Sequence, residues 1–137
     1  MSREGATRVL FVCVGNTCRS QMAEGFARLH GKDMLEAGSA GTSAAGIVNK
    51  NMIEAMKEKE IDISSQTPRQ LTADMFEWAD VVVTMGCIPA DSLCPSPFKG
   101  RKCDWKIDDP LGRPWEFMRR VRDEIENKVK ELIGEEA

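Results

Sequence analysis

The chain has 137 residues, a formal net charge of −3, 42% hydrophobic residues and 30% charged residues. That length suits one domain, residues 1–137, whose core needs no disulfide or metal staples. No apolar run is long enough to span a membrane as a helix, and the acidic balance argues against a general nucleic-acid binder.

Met1 to Thr7 is short and polar, lacks the apolar stretch of a secretory signal, and is expected to fray. Val9 to Val12 has the β-branched and aromatic character of a strand buried on both faces, and it stops at Cys13. Val14-Gly15-Asn16-Thr17-Cys18 then leads through Arg19 to a helical pattern starting at Ser20. A loop between a strand and a helix N-terminus aims several backbone N–H groups into one concavity, where the helix adds positive potential. Such a pocket suits a tetrahedral oxyanion. Gly15 permits a sharp turn, Asn16 tolerates left-handed backbone angles, and Arg19 offers a planar fork of donors. Residues Val14, Gly15, Asn16, Thr17, Cys18, Arg19 and Ser20 are therefore the expected oxyanion binders. Cys13 at the base is the expected nucleophile, because the amides, the helix end, Arg19 and the Ser20 hydroxyl all favour negative charge on its sulfur.

The helix carries Met22, Ala23, Phe26 and Leu29 on one face and stops at Gly31. His30, the single histidine, reads as a favourable charge near that helix C-terminus. Leu35 to Ser39 is a short strand, followed by a loop of small residues from Gly41 to Gly46. Asn49 to Glu60 reads as a helix with Met52, Ile53 and Met56 inward, and Ile61 to Ile63 as a short extended piece. Thr72 is placed to cap a short helix through Met75, Phe76 and Trp78. Val81 to Met85 is a third strand, Ala90 to Leu93 a helix-like segment, and Lys102 to Ile107 a fourth strand that packs Cys103. Asp108-Asp109-Pro110-Leu111-Gly112 forms a turn-rich loop. Pro114 opens a long closing helix that Gly134 ends. Strands alternating with helices imply an α/β fold, a doubly wound four-stranded parallel sheet flanked by helices. Ligands in such sheets bind beyond the strand C-termini, where Cys13 lies.

Five cysteines, Cys13, Cys18, Cys87, Cys94 and Cys103, are too few and too uneven for a secreted disulfide scaffold, which points to a reducing cytoplasm. Their spacing matches no zinc ribbon, so neither a metal nor another cofactor is expected.

The stretch CVGNTCRSQMAEG resembles the phosphate-binding loop of the low-molecular-weight tyrosine phosphatase superfamily, which also contains the thioredoxin-coupled arsenate reductases. The likeness to the reductases extends over TMGCIPADSLCPSP, the Trp105 to Pro110 segment and the helix around Trp115 to Ile125. It implies Cys13 as nucleophile, Cys87 as first resolving thiol, Cys94 as second, and Asp109, before Pro110, as general acid. It further implies an arsenate- or phosphate-like oxyanion as substrate, thioredoxin or a similar dithiol reductase as partner, and a monomer. Segment 90–93 would loosen for the last exchange, since Pro89 and Pro95 limit its helicity.

The alternative implied by the same loop is a protein phosphatase, for phosphotyrosine or phosphoarginine, using Cys13, Arg19 and Asp109; Thr17 resembles the arginine phosphatases. The chain contains no tyrosine, so the aromatic residues that tyrosine phosphatases set beside the Asp-Pro loop are replaced by Gly112 and Arg113. Some relatives bind potassium beside the loop through positions matching Asn16, Glu24 and Ser39. Where they supply an aspartate, this chain reads Thr67-Pro68-Arg69-Gln70, a departure from that pattern.

Overall fold

Strand β1, Thr7–Cys13, runs up the middle of a four-stranded sheet and carries the sequence directly into the loop beyond its C-terminus. The computed structural model describes residues 6–44, 46–86, 88–95 and 98–136. The remaining strands are β2 (Leu35–Gly41), β3 (Val81–Thr84) and β4 (Arg101–Asp104), in the order β2-β1-β3-β4 with every pairing parallel. Five helices connect and follow them: α1 (Arg19–His30), α2 (Lys50–Lys57), α3 (Ala73–Trp78), α4 (Ala90–Leu93) and α5 (Trp115–Glu136). From β1 the chain winds outward to β2, then returns across to β3, so the winding reverses between β1 and β3. Their C-terminal ends flank the crevice where open α/β sheets take ligands.

Both faces of β1 are covered, which explains its unbroken apolar run. Val9, Phe11 and Cys13 face one cluster, built with Met22 and Phe26 of α1, Met52 and Met56 of α2, and Val121, Ile125 and Val129 of α5. Leu10 and Val12 face the other, with Phe76 of α3, Val82 and Cys94. Each fully buried large side chain of this kind contributes about 1.5–3 kcal/mol relative to its exposed state.

The element boundaries depart from the sequence expectation in instructive ways. Thr7 does not fray: it pairs with Leu35 in the ladder and donates to Met34 O at 2.9 Å, while residues 1–5 lie outside the described residues. Helix α2 stops at Lys57, because Glu60 adopts a left-handed φ of 63° and lets the N–H groups of Glu60 and Ile61 close onto Lys57 O and Met56 O. Residues 61–63 join no strand; Ile63 instead buries itself in the first cluster. Thr72 occupies the N-cap of α3 without a side-chain cap bond. Strand β3 ends one residue short of Met85. Strand β4 leaves the ladder after Asp104, because Trp105 turns inward to pack on Phe11, ring centroids 5.7 Å apart, and Ile107 follows it into the core. Helix α5 passes through Gly134 to Glu136, since that glycine sits in open space and takes ordinary helical angles.

Polar contacts lock α5 against the rest. His30 pairs with Glu126 at 2.7 Å rather than simply facing its own helix end, and Lys59 meets the same carboxylate at 3.1 Å. Arg122, buried in the interface, donates to Ala55 O at 2.9 Å and to Glu58 at 2.6 Å, while Arg119 grips Glu58 through two nitrogens. These two guanidinium groups hold the Glu58 carboxyl down at about 2, against an ordinary 4.5. A depressed folded-state value means that the stabilisation is present above the unfolded value and lost as pH falls through the folded one. Glu58→Gln should therefore lower Tm at pH 7, and the gap from the unsubstituted protein should close between about pH 5 and pH 2. Thermal melts across that range check it.

Candidate active site

The loop after β1 is a pocket because its carbonyls are turned away from it. Cys13 O accepts from Thr42 N at 3.1 Å, Val14 O from Ser43 N at 2.9 Å and Thr17 O from Asn49 N at 3.0 Å. Asn16 O accepts from the Gln21 side chain at 2.9 Å. In a trans peptide the following N–H points opposite its carbonyl. The amides of Val14, Gly15, Thr17 and Cys18 are thereby directed to the inner side, at the mouth of α1. Gly41 makes the arrangement possible. A Cβ there would lie 2.4 Å from Val14 O and 3.0 Å from Asn16 N, so the end of β2 can approach the loop only without a side chain.

Asn16 takes the left-handed backbone expected of it, with φ at 56°, and is fully buried. Cys13 is 5% exposed. Its sulfur meets the Ser20 hydroxyl at 2.8 Å and receives the Asn16 N–H at 3.3 Å. Arg19 is held from far along the chain: Nη1 donates to Met85 O at 2.9 Å and to Ile107 O at 2.8 Å. This explains why the chain leaves β4 early, since Ile107 must reach across the crevice to that guanidinium. Gly86, at φ 94°, lets the backbone after β3 pass close to Trp105 and Ile107. Val14, Ile47 and Leu111 stand exposed, and Ile47 and Leu111 share a shallow hollow with Thr17.

Burial pushes the Cys18 thiol up; the Thr17 hydroxyl opposes this, and the nearby Asp109 carboxylate and Cys13 add to the rise. Asp109 thus stands in electrical contact with the loop, on an exposed turn where its Oδ1 accepts from Leu111 N at 3.0 Å. Arg113, in the place of the absent aromatic, stacks over Phe117 at 4.0 Å.

Cys94 closes α4 and is 8% exposed, packed among the second cluster. Burial pushes its thiol up as well, with Lys102 opposing and Asp91 and Asp104 adding. Cys13 belongs to the first cluster, so the two thiols are packed on different sides of the sheet. Val12, Cys13, Thr42, Thr84, Ile88 and Leu93 meet in a tight seam that places Leu93, the residue preceding Cys94, along the same seam as Cys13. Helix α4 is one turn long, tethered through Ala90 N to Asp104 at 2.7 Å and through Asp91 to Lys102 at 3.2 Å. Cys87 lies outside the described residues. Cys13, Cys18 and Cys94 are free thiols, and Cys103 packs partly buried against the first cluster.

The oxygens matched to a potassium site are already engaged by donors of the chain. Asn16 Oδ1 accepts from Arg69 N at 2.8 Å and Gln21 Nε2 at 3.0 Å. Glu24 accepts from the Ser39 hydroxyl at 2.5 Å and pairs with Arg28. A cation would have to displace these bonds and approach two guanidinium-bearing side chains, so this donor set does not fit one. Gln21, Gln66, Gly41 and the carbonyls of Met85 and Ile107 are the site's contributors that the sequence pattern did not single out. Only Gln21, polar at an inward helical position, left a signal there.

The family described as low molecular weight phosphotyrosine protein phosphatase matches residues 8–137. An arsenate reductase of Bacillus cereus (strain 03BB102) is 44% identical over 135 residues, covering 96% of this chain and 99% of its own. Among solved structures, an arsenate reductase in the phosphate binding state superposes with a TM-score of 0.82 at 35% identity, over 96% of this chain and 99% of the other. An arginine phosphatase from Geobacillus stearothermophilus gives 0.81 at 31% identity, over 94% and 92%. A thioredoxin-dependent arsenate reductase of Corynebacterium glutamicum gives 0.81 at 28%, over 96% of this chain and 62% of that one.

The Gly41 contact yields a direct check on the pocket. Gly41→Ala should weaken phosphate binding by about tenfold to a hundredfold, because the added methyl displaces Val14 and the amides after it. Titration calorimetry with phosphate, beside a melt showing the variant folded, measures this.

Proposed function

Since the chain belongs to the low-molecular-weight phosphotyrosine protein phosphatase family, we propose that it uses the family's oxyanion pocket to reduce arsenate to arsenite. The oxyanion sits on the amides from Val14 to Ser20 with Arg19 across two of its oxygens. Cys13 attacks arsenic, and an arsenate oxygen leaves as water with a proton from Asp109, forming a Cys13–arsenic(V) bond. Cys87 then attacks the Cys13 sulfur. A Cys13–Cys87 disulfide forms, the sulfur–arsenic electron pair stays on arsenic, and arsenite departs. Cys94 attacks Cys87, freeing Cys13 and moving the disulfide to Cys87–Cys94. A dithiol protein of the thioredoxin class reduces that disulfide and restores the enzyme. We take residues 1–137 as one catalytic domain, acting as a monomer in the cytoplasm and needing no metal or other cofactor.

The observation that carries this reading is Cys94. It is a free thiol at the end of a single helical turn whose Leu93 lines the same seam as Cys13. It packs beside Phe76 and Val82, and in this reading α4 loosens for the last exchange. Among the described residues, what resists this is the Asp104 tether, one surface ion pair, the apolar contacts of one turn and that turn's backbone bonds onto Pro89 O and Ala90 O. The likeness to an arginine phosphatase favours a second activity, hydrolysis of a phosphorylated side chain by Cys13, Arg19 and Asp109 without the two later cysteines.

Cys87→Ser and Cys94→Ser separate the two chemistries. Thioredoxin-supported arsenate turnover should fall by about a hundredfold or more in each, while hydrolysis of an aryl phosphate stays within about twofold of the unsubstituted protein. Arsenate turnover that survives in Cys87→Ser would reduce the assignment to hydrolysis.

A further inference from the structure

A chain of side-chain amides runs inward from the surface to the nucleophile, and each amide's orientation is dictated by backbone. Gln66 Nε2 lies 3.2 Å from Gln21 O, a carbonyl that can only accept, so the nitrogen of Gln66 must face it and donates also to Gln21 Oε1 at 2.6 Å. Gln21 Nε2 lies 2.9 Å from Asn16 O and 3.2 Å from Thr67 O, two more carbonyls, so its nitrogen end faces the loop and reaches Asn16 Oδ1 at 3.0 Å. Arg69 N–H, which can only donate, points at the same Oδ1 from 2.8 Å. Asn16 therefore cannot turn over. Its Nδ2 is left facing Ser20 Oγ at 2.8 Å, and this donor occupies a lone pair of the hydroxyl. A serine hydroxyl has one hydrogen. With Asn16 donating to it, that hydrogen is free to turn to Cys13 Sγ, 2.8 Å away, and a Cys13 thiolate, carrying no hydrogen, can only accept it.

We propose that Gln21 and Gln66 are positioning residues for the nucleophile: they pin the Asn16 amide so that the Ser20 hydroxyl donates to Cys13 rather than accepting from it. The proposal rests on the reading of Cys13 as nucleophile and extends it by two residues that touch neither sulfur nor oxyanion. Hydrogen bonds aligned head to tail polarise one another, and inside a site shut off from water the effect is larger than at a surface. A donor to sulfur stabilises the anion that attacks, whereas an acceptor in the same place would oppose it. Asn16, Ser20 and Gln21 are fully buried, so no solvent molecule competes to reset the direction.

The test is the rate at which iodoacetamide alkylates Cys13 in the full chain at one fixed pH, with the modified residue located by peptide mapping. Fixing the pH keeps Cys18, Arg19 and Asp109, the titratable and charged groups around the pocket, comparable between variants. Gln21→Glu puts an acceptor where the donor stood and favours a reversed Asn16 amide. It should slow alkylation about tenfold, as should Ser20→Ala. Gln21→Met removes the donor but leaves Arg69 N–H to hold Asn16, so it should slow alkylation less than Gln21→Glu, and Gln66→Glu should lie between them. The decisive comparison is the double variant: if the influence passes through Ser20, Gln21→Glu in a Ser20→Ala background should add less than about a twofold loss. Multiplying losses, or a Gln21→Met loss equal to that of Gln21→Glu, would show that Gln21 acts through packing and would overturn the proposal. So would an unchanged rate in Ser20→Ala. Alkylation of the unsubstituted protein away from Cys13 would sink the nucleophile assignment itself, a result distinct from any failure of arsenate turnover.

Discussion

An oxyanion pocket made of backbone amides depends on where the matching carbonyls go. In this protein the carbonyls of Cys13, Val14 and Thr17 are bound by the N–H groups of Thr42, Ser43 and Asn49, residues contributed by the end of β2 and the approach to α2. Those bonds set the peptide planes of the loop before any ligand arrives. They in turn require β2 to run alongside β1 as far as Gly41, with no side chain at that position. The pocket is thus an outcome of the β1–β2 ladder, and its preorganisation costs nothing further when an anion binds.

The same logic places Arg19. A guanidinium aimed only by its own helix would have several rotamers, but carbonyls from beyond β3 and beyond β4 hold one of its nitrogens. Three segments of the sheet's C-terminal edge therefore meet at one side chain. Damage to any of them, including to the positive φ of Gly86, would be felt at the Arg19 guanidinium. Away from this edge, α5 is held to α1 by His30–Glu126 and to the end of α2 by the Arg122 bonds to Ala55 O and Glu58.

The thiols divide by what surrounds them. Cys13 meets the Ser20 hydroxyl at 2.8 Å and receives the Asn16 N–H at 3.3 Å, whereas burial disfavours charge on Cys18 and Cys94. The proposed relay would gain from the difference, because in it the first sulfur must react while the last stays quiet until it is called upon. Cys94 is packed on the far side of the sheet, at the end of one turn of helix.

The strand–loop–helix signature from Val9 to Ala23 determined the loop pocket, the place of Cys13 at its base and the left-handed Asn16, because each follows from the local order of residue types. The alternation of elements likewise determined a parallel four-stranded sheet with its ligand edge at Cys13. Only the folded chain decided that Gln21 and Gln66 reach the nucleophile through Asn16, that Gly41 admits β2 to the loop, and that Ile107 leaves β4 to hold Arg19. Those contacts join residues far apart in sequence through backbone groups, and a carbonyl or an N–H carries no residue name to read.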